Sequence, residues 1–247
     1  MLKRSSLAGA FLPLMMLPGF AQDAQVAVAA NFTAVAEELA AAFEAETGQR
    51  IGLSFGATGQ LYTQITQGAP FAALLAADAE RPARLVEDGI GVPDSVFTYA
   101  VGRLALYSAE DDAELGAETL EGDFTALSIA DPTAAPYGAA ALETIEALGL
   151  AEELTDRLVT GQNIAQAFQF VSTGNAEYGF VALSQVIEAE SGSYWLVPED
   201  LHSPILQDAV VIAGAPGEEV AQAFLDYLRS ADAVAVIESY GYSVTAQ

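Results

Sequence analysis

Several residue types that enzymes and membrane-anchored proteins rely on are scarce or missing. The 247 residues include no cysteine and one histidine. The lack of cysteine excludes disulfides and a lipid-modified cysteine behind a leader. The single histidine, His202, lies in a polar segment, so the sequence offers no catalytic base for a Ser-His-Asp or Cys-His enzyme. The motifs of serine hydrolases, zinc proteases and nucleotide-binding loops are also absent, and we predict that the protein is not an enzyme.

Positively charged residues are also scarce. The chain has eight basic and 34 acidic residues, with a net charge of −26, and loss of Lys3 and Arg4 with a leader would make this charge two units more negative. Such a chain has no basic patch for nucleic acid or an anionic membrane. The acidic residues form no spaced cluster typical of a protein-bound metal ion, so we predict no cofactor and no protein–metal bond. An anion bound here has to be held by oriented neutral dipoles.

Long apolar runs are confined to the N-terminus. Lys3 and Arg4 precede the apolar stretch 7–20, and Ala21 supplies the small residue expected before a cleavage site. This pattern predicts a secretory signal peptide over residues 1–21. No later run reaches the roughly 18–20 apolar residues that a membrane span requires. We therefore expect a soluble protein in the periplasm of a Gram-negative bacterium, with free secretion as the alternative.

Apolar periodicity in the first third of the mature chain alternates between strand and helix. Short apolar runs bounded by glycine or proline predict strands, and apolar residues three and four apart predict helices. The predicted order is strand 26–30, helix 32–46, strand 51–55, a helix opening near Gly59, strand 71–77 and helix 80–87. This βαβαβα order predicts a parallel sheet flanked by helices.

The rest of the chain predicts a second unit of the same kind. The strand-like run 96–107 is long enough to cross between lobes, and the run 207–213 is expected to return to the first lobe ahead of terminal helices 216–229 and 231–240. We predict two α/β lobes, each a mostly parallel sheet flanked by helices. Lobe one comprises residues 22–99 and 208–247, and lobe two comprises residues 100–207.

Small polar or glycine-rich turns open four of the predicted helices. They are Ala30-Asn31, Ala57-Thr58-Gly59, Pro136-Tyr137-Gly138 and Asn163-Ile164. Asn31 and Asn163 are predicted to be helix N-caps. If the four turns face one cleft, their N–H groups and the Asn31 and Thr58 side chains would surround a small, fully ionised oxyanion. The alternative is that these turns only reflect the strand-to-helix connections of any α/β fold.

Six short motifs occur in order along essentially the whole mature chain. They are VAVAANFT from Val26, SFGATG from Ser54, GAP from Gly68 followed by Ala77-Asp78, Asp131-Pro132 with Pro136-Tyr137-Gly138, GFVALS from Gly179, and YGY from Tyr240. Together they resemble the periplasmic molybdate-binding proteins of ABC transporters. The resemblance implies a two-lobed type II periplasmic binding-protein fold that closes on molybdate or tungstate in the cleft between its lobes.

The same resemblance assigns binding roles to five residues. It implies side-chain donors at Asn31 and Thr58. It implies backbone donors at Ala30 or Asn31, and at Thr58, Tyr137 and Ile164. Many proteins of this kind have a hydroxyl residue in the first turn, where this chain has the carboxamide of Asn31. The oxyanion would be the ligand, with no cofactor and no protein atom bound directly to the metal.

The implied partner is an inner-membrane ABC permease, to which a soluble, monomeric binding protein would deliver the anion. We expect no contact with nucleic acid and no insertion into the membrane. Two alternatives remain open. One keeps the fold and changes the ligand to sulfate, phosphate or a small organic anion. The other is a secreted hydrolase or lyase that uses acidic residues.

Overall fold

The computed structural model describes residues 22–187 and 189–244. The predicted signal peptide, residues 1–21, lies outside this part of the chain. No helix within the described ranges is long and apolar enough to cross a membrane. The described residues form ten strands and eight α-helices, divided between two sheets.

Strands and helices follow one another in the alternating order of an α/β protein. The strands are β1 (Ala24–Ala29), β2 (Ile51–Gly56), β3 (Ala73–Leu75), β4 (Phe97–Gly102), β5 (Leu104–Ser108), β6 (Leu127–Ala130), β7 (Leu158–Gly161), β8 (Tyr178–Ala182), β9 (Ser193–Leu196) and β10 (Ile205–Val211). The α-helices are α1 (Thr33–Thr47), α2 (Thr58–Thr66), α3 (Glu80–Glu87), α4 (Pro136–Ala147), α5 (Ala151–Leu154), α6 (Ile164–Ser172), α7 (Glu218–Tyr227) and α8 (Ala231–Ser239).

The first sheet contains the first four strands and the last one, in the order β2-β1-β3-β10-β4. β1 pairs in parallel with β2 and β3, whereas β10 is antiparallel to β3 and β4. The predicted βαβαβα order of the first third is confirmed. The sheet is mixed rather than mostly parallel, because the chain returns from the second sheet along β10 and places it between β3 and β4.

The second sheet repeats this plan with the strands β5 to β9, in the order β7-β6-β8-β5-β9. β6 pairs in parallel with β7 and β8, and β5 is antiparallel to β8 and β9. The helices α4 and α6 pack against it. We call the first sheet with its helices lobe one and the second sheet with its helices lobe two.

The helix α1 illustrates how apolar spacing fixes the packing of lobe one. Phe32, Val35, Leu39 and Phe43 recur at intervals of three or four residues and are almost completely buried. They belong to a core cluster that also contains side chains of β1, α7 and α8. Gly48 ends the helix in the left-handed conformation, with φ at 74°, where a side chain would be disfavoured.

Two chain crossings join the lobes. The run 96–107 crosses between the lobes as predicted, and it does so as two strands, because β4 and β5 belong to different sheets and Arg103 separates them. Gly102 and the charged Arg103 mark this junction in the sequence, and the run is mostly apolar on both sides of it. The second crossing lies between β9 and β10. The lobe boundaries after residues 99 and 207 stay predictions, and they fall within β4 and β10, which pair with each other in the first sheet.

Candidate functional site

A small cavity lies between the lobes, where four strand-to-helix turns meet. Its volume is about 10 Å³, close to the minimum that a single water molecule needs. The structure brings all five residues of the predicted site into its wall: Ala30, Asn31, Thr58, Tyr137 and Ile164. The other lining residues are Ala29, Gly56, Ala57, Ala77, Ala135, Pro136 and Asn163. The binding roles of the five residues stay predictions.

The first turn follows β1 without an intervening loop. Ala30–Phe32 forms one 3₁₀ turn, and α1 begins at Thr33. The prediction that Asn31 is the N-cap of α1 is wrong, because this turn precedes the helix and the Asn31 side chain makes no capping bond. Thr33 donates its hydroxyl to Ala30 O at 2.9 Å. The turn keeps Asn31 buried in the cavity wall.

The other three turns open their helices directly. α2 begins at Thr58, two residues after the end of β2. α4 begins at Pro136, whose fixed φ and missing N–H suit the first helical position. Asn163 is the N-cap of α6, as predicted, and its Oδ1 accepts the N–H of Gln166 at 3.0 Å. Local sequence chemistry therefore accounts for two of these helix starts.

Backbone N–H groups in the four turns are free to bind a ligand. Within the described residues, the N–H groups of Asn31, Thr58, Tyr137 and Ile164 have no protein acceptor. Their position explains this, because the first turn of a helix supplies no partner for its own N–H groups. The positive ends of the helix dipoles lie at the same turns. The cavity wall is therefore suited to an anion.

Thr58 adds a side-chain donor. Its side chain is buried, with 1% of its surface exposed. Its Oγ1 accepts the N–H of Ala77 at 3.0 Å, and in the described part of the chain its own hydroxyl hydrogen has no acceptor. Since a threonine hydroxyl donates one hydrogen bond and can accept two, the Ala77 contact leaves the donor function for a ligand.

The Asn31 side chain has other partners. Its Nδ2 donates to Gln207 Oε1 at 2.9 Å and to Tyr242 Oη at 3.0 Å. These two bonds use both amide hydrogens. The sequence predicted this amide as a ligand donor, and the structure directs it to the protein interior. Residue 31 therefore offers the cavity its backbone N–H.

A buried polar network lies behind the cavity wall. Gln207, on the returning strand β10, accepts from Tyr99 Oη at 3.1 Å and donates from Nε2 to Tyr137 Oη at 3.3 Å. Tyr242 Oη donates to Asn31 O at 2.8 Å, and Ser184 of lobe two donates to the same oxygen at 2.9 Å. The network thus connects the two lobes through the first donor turn.

Sequence reasoning did not identify these supporting residues. Ser184 and Tyr242 lie in the GFVALS and YGY motifs, which assigned them no role, and Gln207 begins the strand-like run 207–213 beside Asp208. Burial raises the pKa of Tyr242 to about 12 and holds the pKa of Tyr99 and Tyr137 well above 10. All three hydroxyls therefore stay protonated at neutral pH, and they keep their hydrogen bonds.

The cavity wall carries no charge. None of the twelve lining residues is acidic or basic, although the chain as a whole is strongly acidic. No group of three or more histidine, cysteine, aspartate or glutamate side chains within the described residues could hold a metal ion. His202 does not line the cavity; its Nδ1 lies 2.8 Å from Ser203 O. The wall is suited to holding a small anion by hydrogen bonds alone.

Known proteins share this fold. The family model described as bacterial extracellular solute-binding protein matches residues 24–243, and the chain belongs to this family. It is 49% identical over 245 residues to the molybdate-binding protein ModA of Rhodobacter capsulatus, covering 98% of this chain and 96% of that protein. It is 50% identical over 231 residues to the molybdate-binding protein ModA of Azotobacter vinelandii, with 91% of each chain covered.

A solved structure supports the same comparison. The periplasmic molybdate-binding protein of Azotobacter vinelandii superimposes with a TM-score of 0.87 at 35% sequence identity, covering 90% of this chain and 100% of that one. The predicted two-lobed α/β binding-protein fold is therefore confirmed. The chain is a solute-binding component of transport and does not belong to an enzyme family.

Proposed function

We propose that the protein captures molybdate, and also tungstate, in the interlobe cavity and delivers it to an ABC permease. The observation that carries this proposal is the convergence of uncharged donors from both lobes on one cavity of about 10 Å³. The relatives named molybdate-binding proteins, at about half identity over nearly the whole chain, support the choice of ligand.

The proposed donors are mostly main-chain groups. The backbone N–H groups of Ala30 or Asn31, and of Thr58, Tyr137 and Ile164, would point at the oxygen atoms of the anion, and the Thr58 hydroxyl would donate a further bond. Bonds of this kind to a charged acceptor are stronger than bonds between neutral groups. The metal would be enclosed by its own oxygen atoms, so it needs no protein ligand and no cofactor takes part.

The donor set favours a fully ionised anion over a protonated one. A protonated oxyanion carries an O–H group that requires an acceptor, and the lining residues contribute no carboxylate to accept it. Molybdate and tungstate are dianions without a proton at neutral pH. Phosphate keeps a proton in this range, so it would leave its O–H unsatisfied in this wall.

Binding would work by closing the lobes around the ligand. Asn31 and Thr58 belong to lobe one, and Tyr137 and Ile164 belong to lobe two. An anion can therefore reach all of these donors at once only when the lobes approach each other. The ligand stabilises the closed state by the difference in contacts between the two states, and reopening at the permease would release it.

Cellular location and assembly form part of the proposal. Residues 1–21 would act as a cleaved signal peptide, which leads to the periplasm and to a permease of the inner membrane. We propose a monomer. Among the described residues, the exposed large apolar side chains are Phe55, Tyr194 and Leu206, each about 40% exposed. They lie on three different strands, so they provide no continuous apolar patch for a stable dimer.

Sulfate is the second candidate ligand. It is also a tetrahedral dianion without a proton, so the same neutral donors would suit it, and discrimination would depend on its smaller size. A small organic anion is a poorer fit, because the donors converge on one point and would leave the rest of a larger anion without hydrogen-bond partners. A hydrolase or lyase is disfavoured too, since the hydroxyl of Thr58 has no adjacent base among the lining residues.

Calorimetric titration of the secreted protein tests the proposal. Separate titrations with molybdate, tungstate and sulfate should give saturation at one anion per chain for the first two, in the micromolar range or below. Fluorescence of the single tryptophan, Trp195, provides an independent reading. No heat and no fluorescence change with molybdate or tungstate, together with saturation by sulfate, would reject the ligand assignment.

A further inference from the structure

A second groove marks the rim of the cleft. It has a volume of about 500 Å³ and is lined by α2 and α3 residues of lobe one and by Thr133 and Ala134 of lobe two. A different groove, of about 360 Å³, contains the second crossing at residues 203–206. The rim groove contains no residue of either crossing, so its two walls separate when the lobes rotate about the crossings.

Two hydrogen bonds join the lobes at this rim. The N–H of Gly59 donates to Ala134 O at 2.9 Å, and Arg81 Nη2 donates to Thr133 O at 3.2 Å. Gly59 directly follows the proposed donor Thr58, and Ala134 lies one residue before Ala135 of the cavity wall. The distance between Gly59 and Ala134 therefore also sets the distance between the proposed donors of the two lobes.

The arginine of this contact is held in place within lobe one. Asp78 Oδ1 accepts the backbone N–H of Arg81 at 2.9 Å, and Asp78 Oδ2 accepts a hydrogen from Nη1 of the same residue. The Arg81 side chain is 24% exposed. The guanidinium consequently presents its remaining N–H groups to lobe two at little further cost in side-chain entropy.

The acceptor carbonyls are held just as firmly within lobe two. Asp131 Oδ1 accepts the N–H and the hydroxyl of Thr133 at 2.9 and 2.7 Å. The carbonyl oxygen of Asp131 accepts the N–H groups of Ala134 and Ala135 at 3.2 and 2.8 Å. Both sides of the rim contact are therefore ordered by their own lobe before they meet.

Glycine at position 59 permits this close approach. A Cβ there would lie 3.0 Å from Arg81 Nη2 and 3.2 Å from both Cα and O of Ala134. These distances are shorter than ordinary carbon contacts. A side chain at this position would therefore push the start of α2 away from Ala134 and lengthen the hydrogen bond between residue 59 and Ala134.

We propose that Gly59 and Arg81 are positioning residues that form an interlobe latch, and that this latch sets the rate at which the bound anion is released. The proposal rests on the function proposed above. The latch bonds exist only between closed lobes, so they stabilise the bound state without contacting the ligand. Contacts of this kind slow dissociation and leave the initial encounter unchanged.

Stopped-flow fluorescence with molybdate on the secreted protein separates these two rates. The test variant is Arg81→Gln, and the matched control is Arg84→Gln. Arg84 lies in the same groove, but its partners, Glu80 at 3.5 Å and the ring of Tyr62 at 5.7 Å, belong to lobe one. Both variants remove one positive charge near the cleft. We expect R81Q to release molybdate about three- to tenfold faster, with association within about twofold of wild type, and R84Q to match wild type in both rates.

A glycine variant provides a second test. Gly59→Ala replaces a poor helix residue within α2 by the best one, so the ligand-free protein should unfold at the same or a higher temperature. The latch nevertheless predicts faster release of molybdate from this variant. A general loss of stability cannot produce that combination of results.

The outcomes distinguish the latch from the function on which it rests. Equal release rates in R81Q and R84Q, with wild type binding molybdate, would overturn the latch alone. Failure of wild type to bind molybdate or tungstate would overturn the proposed function and the latch with it. Faster release confined to R81Q and G59A would support the latch.

Discussion

Asn31 Nδ2 and Gln207 Oε1 lie 2.9 Å apart, although 176 residues separate them along the chain. Asn31 belongs to the first donor turn, and Gln207 belongs to the strand that returns from lobe two. Both side chains are buried. This bond ties the turn that would hold the anion to the strand that follows the second crossing between the lobes.

Replacing Gln207 by leucine should destabilise the fold. The Asn31 amide would lose one acceptor and Tyr137 Oη would lose a donor, and a buried polar group left without its partner costs about 1–3 kcal/mol. Urea unfolding of the ligand-free protein measures this loss. Gln222→Leu is the matched control, since within the described residues the Gln222 amide bonds Asp226 alone, on the surface of α7, and the change should shift stability by about 0.5 kcal/mol or less. Equal effects of the two changes would contradict the assigned network.

Asn31→Ala should lower the stability of the ligand-free protein and also weaken molybdate binding. The stability loss follows from the bonds to Gln207 and Tyr242, each worth about 0.5–1.5 kcal/mol. Asn175→Ala serves as the control, because that amide bonds an exposed neighbour, Thr173. If the Asn31 amide only contacted the ligand, the ligand-free variant would unfold at the same urea concentration as wild type.

Thr58→Val should weaken molybdate binding by about 1.5–3 kcal/mol, which is the loss expected for a hydrogen bond to a charged group. Valine keeps the shape of threonine and removes the hydroxyl. Thr58→Ser keeps the donor and should stay within about tenfold of wild type. Thr66→Val, on the exposed face of the same helix, should leave the affinity unchanged. Calorimetry measures the molybdate affinity of all three variants. An unchanged affinity in Thr58→Val would show that this hydroxyl does not bind the anion.

The affinity for molybdate should be constant between about pH 6 and 9. The one titratable side chain in the cavity wall is Tyr137, and burial holds its pKa well above 10. Binding measured by calorimetry across this range should therefore show no step. A step near pH 6–7 would indicate that a histidine or a carboxylate with a raised pKa contributes.

The stability of the fold should decline above pH 10. The pKa of Tyr242 is raised by burial from 10.0 to about 12, so its neutral hydroxyl stabilises the folded state fully below pH 10. That contribution is lost as the pH rises from about 10 to 12, because the unfolded chain ionises first. A pKa difference of this size between the folded and the unfolded chain corresponds to about 2–3 kcal/mol of folding free energy. Urea unfolding at several pH values measures how the free energy of unfolding falls with pH. This fall should be smaller in Tyr242→Phe.

Five of the twelve residues that line the cavity were predicted, with their binding roles taken from the family resemblance. Local chemistry accounts for two of the helix starts at the donor turns, through Pro136 at a first helical position and Asn163 as an N-cap. Within each lobe, parallel strands then bring two of the turns together, because their carboxyl ends share one edge of the sheet. Asn31 and Ile164 follow strands of different sheets, so their placement in one site came from the family resemblance and its cleft between two lobes.

Other parts of the site depend on contacts that local pattern does not encode. Asn31 has the side chain of an N-cap, yet tertiary hydrogen bonds to Gln207 and Tyr242 determine where it lies. Gly102 and Arg103 interrupt the run 96–107, yet local pattern does not show that the strands on either side of them belong to different sheets. The contact of Arg81 with Thr133 joins the first turn of α3 to a loop of lobe two, and no local pattern indicates that these segments meet.

The main-chain origin of most donors has a consequence for inheritance. Any amino acid except proline supplies a backbone N–H, so most substitutions at positions 31, 137 or 164 would preserve the proposed donor as long as the turn keeps its shape. Random mutation should therefore disable this cavity mainly through prolines, through bulky residues at Gly59 or Gly138, and through loss of folding. A lineage could replace many side chains around the cavity and still transmit the same binding capacity to its descendants.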